Sequence, residues 1–162
     1  MQRRAGKTDW FEYRLDQLGE LGRGRSKHRP RNDPALYDGP YPFIQTAEIT
    51  EADLHVRRYA KTYSEFGLAQ SRIWGKGTLC IVNAGENTGE CAILGFRACF
   101  PDSVIAFVAD PAKSDARFLK YYIDHIKPKL RTVTKGATQD NLSIEKLLSF
   151  PVLAPDVTGQ RV

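Results

Sequence analysis

Cysteine and histidine, the residues that most often build transition-metal sites, are scarce in this sequence. Cys80, Cys91 and Cys99 form no CxxC pair and have no histidine close by, and an odd number of cysteines argues against a disulfide framework. All three lie in apolar, strand-like stretches, where a free cysteine behaves as a small hydrophobic residue. The sequence therefore predicts buried thiols and no bound metal.

Sequence elements that carry catalysis in other proteins are also missing. There is no Pro-Pro pair, which excludes the Asn/Asp-Pro-Pro-Tyr/Phe element of methyltransferases that modify a base amino group. Gly22 and Gly24 are followed by Lys27 at the position where a dinucleotide or S-adenosylmethionine loop has its third glycine, so that loop is not supported. A phosphate loop has Ser or Thr directly after its lysine, whereas Lys76 is followed by Gly77. The three histidines are scattered, without the context of a nucleophile. We predict no catalytic residue and no cofactor.

Long hydrophobic runs are absent as well. No apolar stretch approaches the roughly 20 residues that cross a bilayer, and no apolar region follows the basic N-terminus as it would in a secretory signal. A cytoplasmic location is therefore expected. At 162 residues the chain can bury a core without disulfides. We expect a tail at residues 1–9, one domain at 10–155 and a second tail at 156–162.

Positive charge is concentrated in one segment. The net charge is +5, and five cations, with His28, occupy nearly alternate positions of residues 23–31, which we name the basic segment. These cations are Arg23, Arg25, Lys27, Arg29 and Arg31. Such a run without acids repels itself unless it faces a polyanion, so a nucleic-acid partner is the first interpretation. A disordered basic loop without a defined ligand is the alternative.

Hydrophobic patterning predicts mostly strands, with few helices. Apolar or alternating runs predict strands at residues 11–15, 41–49, 78–82, 91–94 and 103–108 and after Phe150. The Gly-rich stretch 85–89 between two of these runs predicts a hairpin. Residues 16–21 read as a helical turn, 38–40 as a turn, and 51–63 as a surface helix or loop.

Two further helices complete the pattern. Residues 114–127 carry an apolar stripe, with Ser114 as the expected cap and Pro128 as the expected end. Ser143 is expected to cap a short helix at 144–149. The order of elements predicts an α+β fold, a twisted and mostly antiparallel β-sheet with a few flanking helices.

A polar loop at residues 135–143 stands between two apolar segments. It combines a cation, flexible small residues, a hydroxyl and two carboxamides, with no histidine, cysteine or pair of carboxylates. Asn and Gln carboxamides can pair bidentately with the major-groove edge of adenine, and Lys or Arg with guanine or phosphate. This composition favours binding over bond-breaking chemistry.

This loop and several other stretches resemble the specificity subunits of type I restriction-modification systems. The family closes each target recognition domain with a Gly-Ser/Thr-Thr-Gln-x-Asn-Leu/Ile-Ser loop, a helix with paired leucines and a Phe-Pro strand. The corresponding stretches here are residues 136–143, 146–148 and 150–152. The family's upstream Pro-Phe-Ile, Gly-x-x-Gly-x-x-Ala-Ile-Leu and Ser-Val-Ile-Ala elements correspond to residues 41–49, 85–94 and 103–106, in that order. The resemblance runs from about Trp10 to Pro155 and implies a DNA methylase specificity domain-like fold.

The resemblance also implies partners. Specificity subunits carry two recognition domains, each reading half of a split double-stranded DNA target, while methylation and ATP-driven cleavage reside in methyltransferase (modification) and restriction subunits. The implied role is a non-catalytic DNA-recognition component, not an enzyme. This sequence departs from the plan because it holds one such domain and residues 156–162 stand where a spacer helix would begin. Pro101-Asp102 also replaces the frequent Asn-Gln pair. Docking through a spacer helix is therefore left open.

Candidate binding residues divide into two groups. The cations of the basic segment would neutralise phosphates, with Arg23, Arg25, Lys27 and Arg29 as first choices. Polar side chains on loops would reach phosphates or base edges: Gln45, Thr46, Gln70, Arg72, Lys135, Thr138, Gln139 and Asn141. Two alternatives are that Gln45 and Thr46 lie on a sheet surface and that Asn141 caps a turn.

Two other functions stay open at the level of sequence. A small Mg²⁺-dependent nuclease would use Asp102 and Asp110 as metal-binding carboxylates, although the spacing from Asp110 to Lys113 is one residue too long for its Asp/Glu-x-Lys element. An RNA-binding module would more typically expose aromatic side chains on its sheet.

Overall fold

The computed structural model describes residues 2–5, 8–134 and 141–161. Twelve strands are present in these residues: β1 Gln2–Ala5, β2 Thr8–Tyr13, β3 Gly19–Arg23, β4 Tyr37–Phe43, β5 His55–Val56, β6 Lys61–Tyr63, β7 Ile73–Trp74, β8 Leu79–Val82, β9 Cys91–Leu94, β10 Ala98–Cys99, β11 Val104–Ala109 and β12 Val152–Pro155. Five α-helices accompany them: α1 Thr46–Glu51, α2 Glu65–Ala69, α3 Ala116–Thr134, α4 Ile144–Leu148 and α5 Val157–Gln160. None of the described helices is long and apolar enough to cross a membrane.

A five-stranded sheet of order β3-β11-β8-β9-β5 forms the centre of the fold. Its strands β8 and β9 are the hairpin predicted from the sequence, with Cys80 opposite Ala92. Every residue of both strands is buried, as expected for short apolar runs. Only β5 joins this sheet in parallel, so the predicted α+β fold with a mostly antiparallel sheet is confirmed.

Two smaller sheets flank the central one. Strands β1, β2 and β12 form a three-stranded sheet, and β6, β4, β10 and β7 form a four-stranded sheet in which β4 and β10 are parallel. The strand predicted at residues 11–15 is β2, which ends at Tyr13. Leu15 follows it in a 3₁₀ turn, Leu15–Gln17, and is buried.

Both faces of the central sheet are covered by other parts of the chain. Side chains alternate along its strands, so each strand contributes to both faces. Leu79 and Ile81 point to the face on which α3 packs with Leu119 and Ile123. On the other face Cys80 and Val82 belong to a second core cluster. The three cysteines are buried as predicted, and burial raises the pKa of the Cys80 and Cys91 thiols.

Helix α3 is longer than the sequence predicts. Pro128 lies inside the helix, which continues to Thr134. The continuation is stabilised by tertiary contacts: Leu130 and Thr134 are buried, and Arg131 Nε donates to the carbonyl of Thr88 at 2.9 Å. The prediction that Pro128 ends the helix is therefore wrong, because packing offsets the hydrogen bond that proline cannot donate.

The start of α3 also differs from the prediction. The side chain of Asp115 accepts from the backbone N–H of Arg117 at 2.8 Å, and Ser114 Oγ instead donates to the carbonyl of Leu18 at 2.6 Å. Ser114 therefore joins the helix entry to the 3₁₀ turn before β3.

Replacing Pro128 with alanine is expected to stabilise the protein. A proline in a helix interior costs about 3 kcal/mol relative to alanine. Alanine also makes the unfolded chain more flexible, which stabilises the unfolded state by about 0.4–1 kcal/mol and reduces the gain. We expect a net gain of roughly 2 kcal/mol, measured as a higher midpoint in urea unfolding. Val133→Ala, at an exposed position of α3, is the control and should shift the midpoint little. A Pro128→Ala protein less stable than the parent would contradict this.

Three other local predictions are wrong, and a fourth is right only in part. The strand expected at 41–49 ends at Phe43, and α1 follows, since Gln45 N–H donates to Glu48 Oε1 at 2.7 Å in a capping arrangement. The turn expected at 38–40 lies within β4, where the pairing with β6 shifts register. Residues 51–63 contain β5 and β6. The helical turn expected at 16–21 is limited to the 3₁₀ turn Leu15–Gln17, and residues 19–21 belong to β3. In each case pairing with a distant strand or a helix cap overrides the local pattern.

Candidate nucleic-acid interface

One tight turn, residues 100–103, organises an end of the central sheet. This turn leads into β11 and lies next to Arg23, the last residue of β3, and Asn83, which follows β8. Arg23 Nη2 donates to the Asp102 carbonyl at 2.9 Å, and Asn83 Nδ2 donates to the same carbonyl at 2.8 Å. The 100–103 turn therefore ties three strands together at the end where the basic segment begins.

The basic segment crosses this end in a fixed path. Its backbone N–H groups at Gly24 and Arg25 donate to the carbonyls of Val104 and Phe100, both at 2.9 Å. Further along, the N–H of His28 donates to Gln70 Oε1 at 2.9 Å. These hydrogen bonds hold the segment against the 100–103 turn and α2, which argues against a disordered loop.

Side chains alternate along this path. Gly24 and Ser26 are buried, whereas Arg25, Lys27 and Arg29 are exposed. An extended backbone points successive side chains to opposite sides, so the small residues face the protein and the cations face solvent. The result is a row of positive charges on one side of the segment.

The cations of the basic segment differ in how they are held. Arg29 Nη1 donates to the carbonyl of Ser26 at 2.7 Å, and Arg31 Nη2 lies 3.4 Å from Asp102 Oδ1. By contrast, within the described residues the side chains of Arg25 and Lys27 have no hydrogen bond or ion pair. Their charges are available to an anionic ligand.

His28 carries an acidic neighbour inside this positive region. Its Nε2 lies 2.7 Å from Asp33 Oδ2. The pKa of Asp33 is lowered, first by the hydrogen bond from the N–H of Ala35 and then by His28. The ionised carboxylate anchors the imidazole, so His28 contributes to the shape of the segment.

Gln70 and Arg72, predicted to read bases, lie beside the basic segment. The amide of Gln70 is engaged on both sides, because Nε2 donates to the Gly67 carbonyl at 2.6 Å while Oε1 accepts from His28 N–H. Arg72 is exposed, with its guanidinium carbon 3.7 Å from the centroid of the Trp74 ring. Gln70 thus positions the segment, and Arg72 adds a cation held flat on an aromatic ring.

Gln45 and Thr46 stand at the start of α1, not on a sheet surface. Gln45 is exposed and Thr46 half-buried. The backbone N–H of Ile44, the residue before Gln45, donates to the carbonyl of Cys99 at 3.0 Å. Cys99 directly precedes the 100–103 turn. The beginning of α1 and this turn therefore leave the four-stranded sheet side by side.

Asn141, in the polar loop at residues 135–143 that we name the closing loop, lies at the same end of the central sheet. It forms a β-bridge with Ala84, and the N–H of Leu142 donates to the Asn83 carbonyl at 2.6 Å. Asn141 is exposed, and α4 is capped by Ser143, whose Oγ accepts from Lys146 N–H at 3.0 Å. Asn141 therefore does not cap α4. Lys135, Thr138 and Gln139 lie outside the described residues.

Sequence reasoning missed Asn83, which connects the two groups of candidates. It is 1% exposed, and its backbone and side chain contact both the closing loop and the 100–103 turn. The signal that could have indicated Asn83 is its position directly after the wholly apolar run of β8. A buried amide at such a position forms hydrogen bonds with several backbone groups.

A sequence profile described as the type I restriction modification DNA specificity domain matches residues 7–162. This match covers nearly the whole chain. The chain belongs to this family. The resemblance found from the motifs is thus confirmed.

Solved structures share the fold of this specificity domain. A structure titled for complex assembly and conformational transition of the type I R-M system matches with TM-score 0.74 and 19% identity, over 94% of this chain and 35% of that one. The HsdS subunit from Thermoanaerobacter tengcongensis matches with TM-score 0.73 and 16% identity, over 98% and 36%. The type I S subunit from M. genitalium matches with TM-score 0.63 and 15% identity, over 94% and 36%.

The specificity domain spans little more than a third of the length of these solved chains. A comparison with curated proteins gives no match.

The nuclease alternative has no support in the geometry of the specificity domain. Asp102 precedes β11 and Asp110 follows it, so the two carboxylates lie at opposite ends of a six-residue strand. At about 3.3 Å per residue this strand separates their backbones by roughly 20 Å, too far to share a metal ion. Within the described residues no cluster of three or more His, Cys, Asp or Glu could hold one.

Proposed function

We propose that this specificity domain recognises a short sequence in double-stranded DNA and performs no covalent chemistry itself. The observation that carries the proposal is the outward row of cations on a fixed segment, with Arg25 and Lys27 unengaged, at the same sheet end as the exposed Asn141. Phosphates neutralised by this row would supply affinity.

Sequence discrimination would come from the polar side chains around that row. Arg72, Gln45, Thr46 and Asn141 are the described candidates, and Lys135, Thr138 and Gln139 complete the set in the closing loop. Loops held by a sheet suit this role, because the scaffold fixes their geometry. Gln70 has an indirect role, because its side-chain amide holds the basic segment in position.

The family supports a wider assignment in the same proposal. Residues 10–155 form one target recognition domain that reads a half-site, working in the cytoplasm as the non-catalytic component of a type I restriction-modification system. Methyltransferase and restriction subunits of that system are its partners. Methylation and cleavage then take place in those subunits.

Selection of bound duplexes from a random pool, at controlled salt, tests this function. The expected result is a consensus of a few contiguous base pairs, as for a half-site reader. A single-stranded RNA of equal length should compete poorly. No enrichment among duplexes, or preferential binding of the RNA, would contradict the proposal.

Replacing Gln139 with alanine should relax the preference at one base pair. A bidentate carboxamide contact discriminates by about 1–3 kcal/mol, and its loss leaves the phosphate contacts in place. Affinity for unrelated duplexes should therefore stay within about twofold, measured by fluorescence anisotropy on a set of single-base variants of the selected site. Asn32→Ala, at an exposed position beside the basic segment, is the control. Equal relaxation in both variants would remove the role given to Gln139.

A further inference from the structure

A groove of about 770 Å³ lies between α3 and the edge of the three-stranded sheet. We name it the α3 groove. The side chains on its apolar surface are mostly aromatic: Trp10, Phe118, Tyr121, Tyr122, Phe150 and Leu153. None of the residues assigned to DNA contact belongs to it.

One wall of the α3 groove is a straight stripe of α3. Arg117, Tyr121, His125 and Lys129 recur every four residues and so lie on one helix face. At 1.5 Å per residue the stripe is about 18 Å long. That length matches a little more than three turns of a second helix laid along it.

The opposite wall is held at a fixed distance from α3. Tyr122 Oη donates to the Pro151 carbonyl at 2.6 Å, and the rings of Trp10 and Phe118 are 6.0 Å apart. Above this base Tyr121 is 59% exposed and Leu153 is 40% exposed. Such large apolar side chains, facing each other across a formed groove, mark a surface that gains stability when covered.

The charges around the α3 groove have one sign. Arg117, Lys129 and Arg161 line it together with His125, and no carboxylate is present among the described residues that line it. Two acids lie beside it: Asp115 is only 14% exposed and is shared between Arg117 at 3.7 Å and Arg161 at 4.0 Å, and Glu12 stands opposite Leu153 in the three-stranded sheet. A net positive rim therefore remains, and it favours an acidic partner over a basic one.

The Arg117 end of the α3 groove lies far from the basic segment. Helix α3 starts beside the end of β11 that pairs with Gly19, since Ser114 Oγ donates to the Leu18 carbonyl. The basic segment leaves the other end of the same sheet, where Arg23 pairs with Ile105. An occupant at this end of the α3 groove would leave the row of Arg25 and Lys27 open.

We propose that the α3 groove is a docking site for an acidic amphipathic helix of a partner protein. Leucine-type side chains of that helix contact Tyr121 and Leu153, and carboxylates on its flanks pair with Arg117, Lys129 and Arg161. This is the helix-in-groove mode of recognition, in which an apolar stripe provides affinity and rim charges select the partner. The proposal goes beyond DNA recognition and concerns a separate surface.

A display library of helical peptides tests the docking site with the full chain. The peptides are about fourteen residues long, which is about 21 Å of helix, and carry a fixed leucine stripe with flanks free to be Asp, Glu, Lys, Arg or Ser. The expected result is enrichment of Asp and Glu in the flanks. Tyr121→Glu should weaken the selected peptide about tenfold or more, and Val133→Glu, at an exposed position of α3 outside the groove, less than about twofold.

Four results would overturn the docking site. Flanks without acidic enrichment would remove the charge argument, and equal effects of Tyr121→Glu and Val133→Glu would place binding outside the α3 groove. Preferential binding of a single-stranded oligothymidine, or concentration-dependent dimers abolished by Tyr121→Glu, would assign the surface to nucleic acid or to a second copy. Duplex DNA affinity, measured on the same variants, should stay unchanged, which separates failure of this proposal from failure of DNA recognition.

Discussion

A Gly24→Ala variant should lose both stability and DNA affinity. A Cβ atom at this position would lie 2.1 Å from the Pro101 carbonyl oxygen and 2.5 Å from that of Phe100. Both are backbone atoms of the turn that holds the sheet end, so the contact cannot be relieved by a side-chain rotation. Overpacking of this kind costs about 1–3 kcal/mol, occasionally more, and it displaces the segment that carries Arg25 and Lys27.

The measurements for this variant are thermal unfolding and duplex binding on the same preparation. We expect the melting temperature to fall by about 5 °C or more, and DNA affinity at low salt to fall about tenfold. Gly75→Ala is the matched control, because a Cβ there has no atom within 4 Å. If Gly24→Ala matched this control in both measurements, the close approach of the basic segment to the 100–103 turn would be wrong.

Removing the two unengaged cations should have the largest effect on DNA binding. In the double variant Arg25→Gln, Lys27→Gln, two phosphate contacts are lost. The slope of log K against log salt should become shallower by about 2, since each contact contributes about 0.9. At low salt the affinity should fall by roughly 100-fold, because each of the two charge-assisted contacts contributes about 1.5 kcal/mol. Stability should change little, as both side chains are exposed.

A control with the same loss of charge separates local contact from the general field of the protein. Lys113→Gln with Arg117→Gln removes two cations near the opposite end of the central sheet, where Lys113 lies close to Asp110. This variant should keep the salt slope and lose less than about threefold in affinity. Similar losses in the two double variants would show that net charge, not the basic segment, controls binding.

The sequence predicts the elements that are determined locally. Apolar runs of four to six residues identify β8, β9 and β11, and Ser143 identifies the start of α4. The Gly-rich stretch between β8 and β9 identifies their hairpin. In these cases burial pattern, turn residues and cap all favour the same structure.

Most of the errors occur where distant contacts decide. Pro128 continues a helix because Leu130 and Thr134 are buried beyond it. Short strands such as β5 exist only through their partners: His55 pairs with Ile93, far along the chain. No local pattern encodes such pairing.

The candidate site was predictable in composition but not in arrangement. Alternating cations indicate a polyanion partner, yet the sequence does not tell that Arg29 and Arg31 are held by the protein while Arg25 and Lys27 are not. Nor does it tell that the Gln70 amide is engaged by His28 N–H. The contacts of Arg31 and Gln70 join segments more than 40 residues apart, which only the fold brings together, and the contact of Arg29 depends on the path of the segment itself.

Chemical-shift mapping of the isotope-labelled chain during titration with duplex DNA tests the central claim most directly. The account predicts that the backbone signals of residues 24–31, 101–103 and 141 shift, and that those of Tyr121 and Leu153 in the α3 groove do not. Shifts confined to the α3 groove, or absent from the basic segment at saturating duplex, would contradict it.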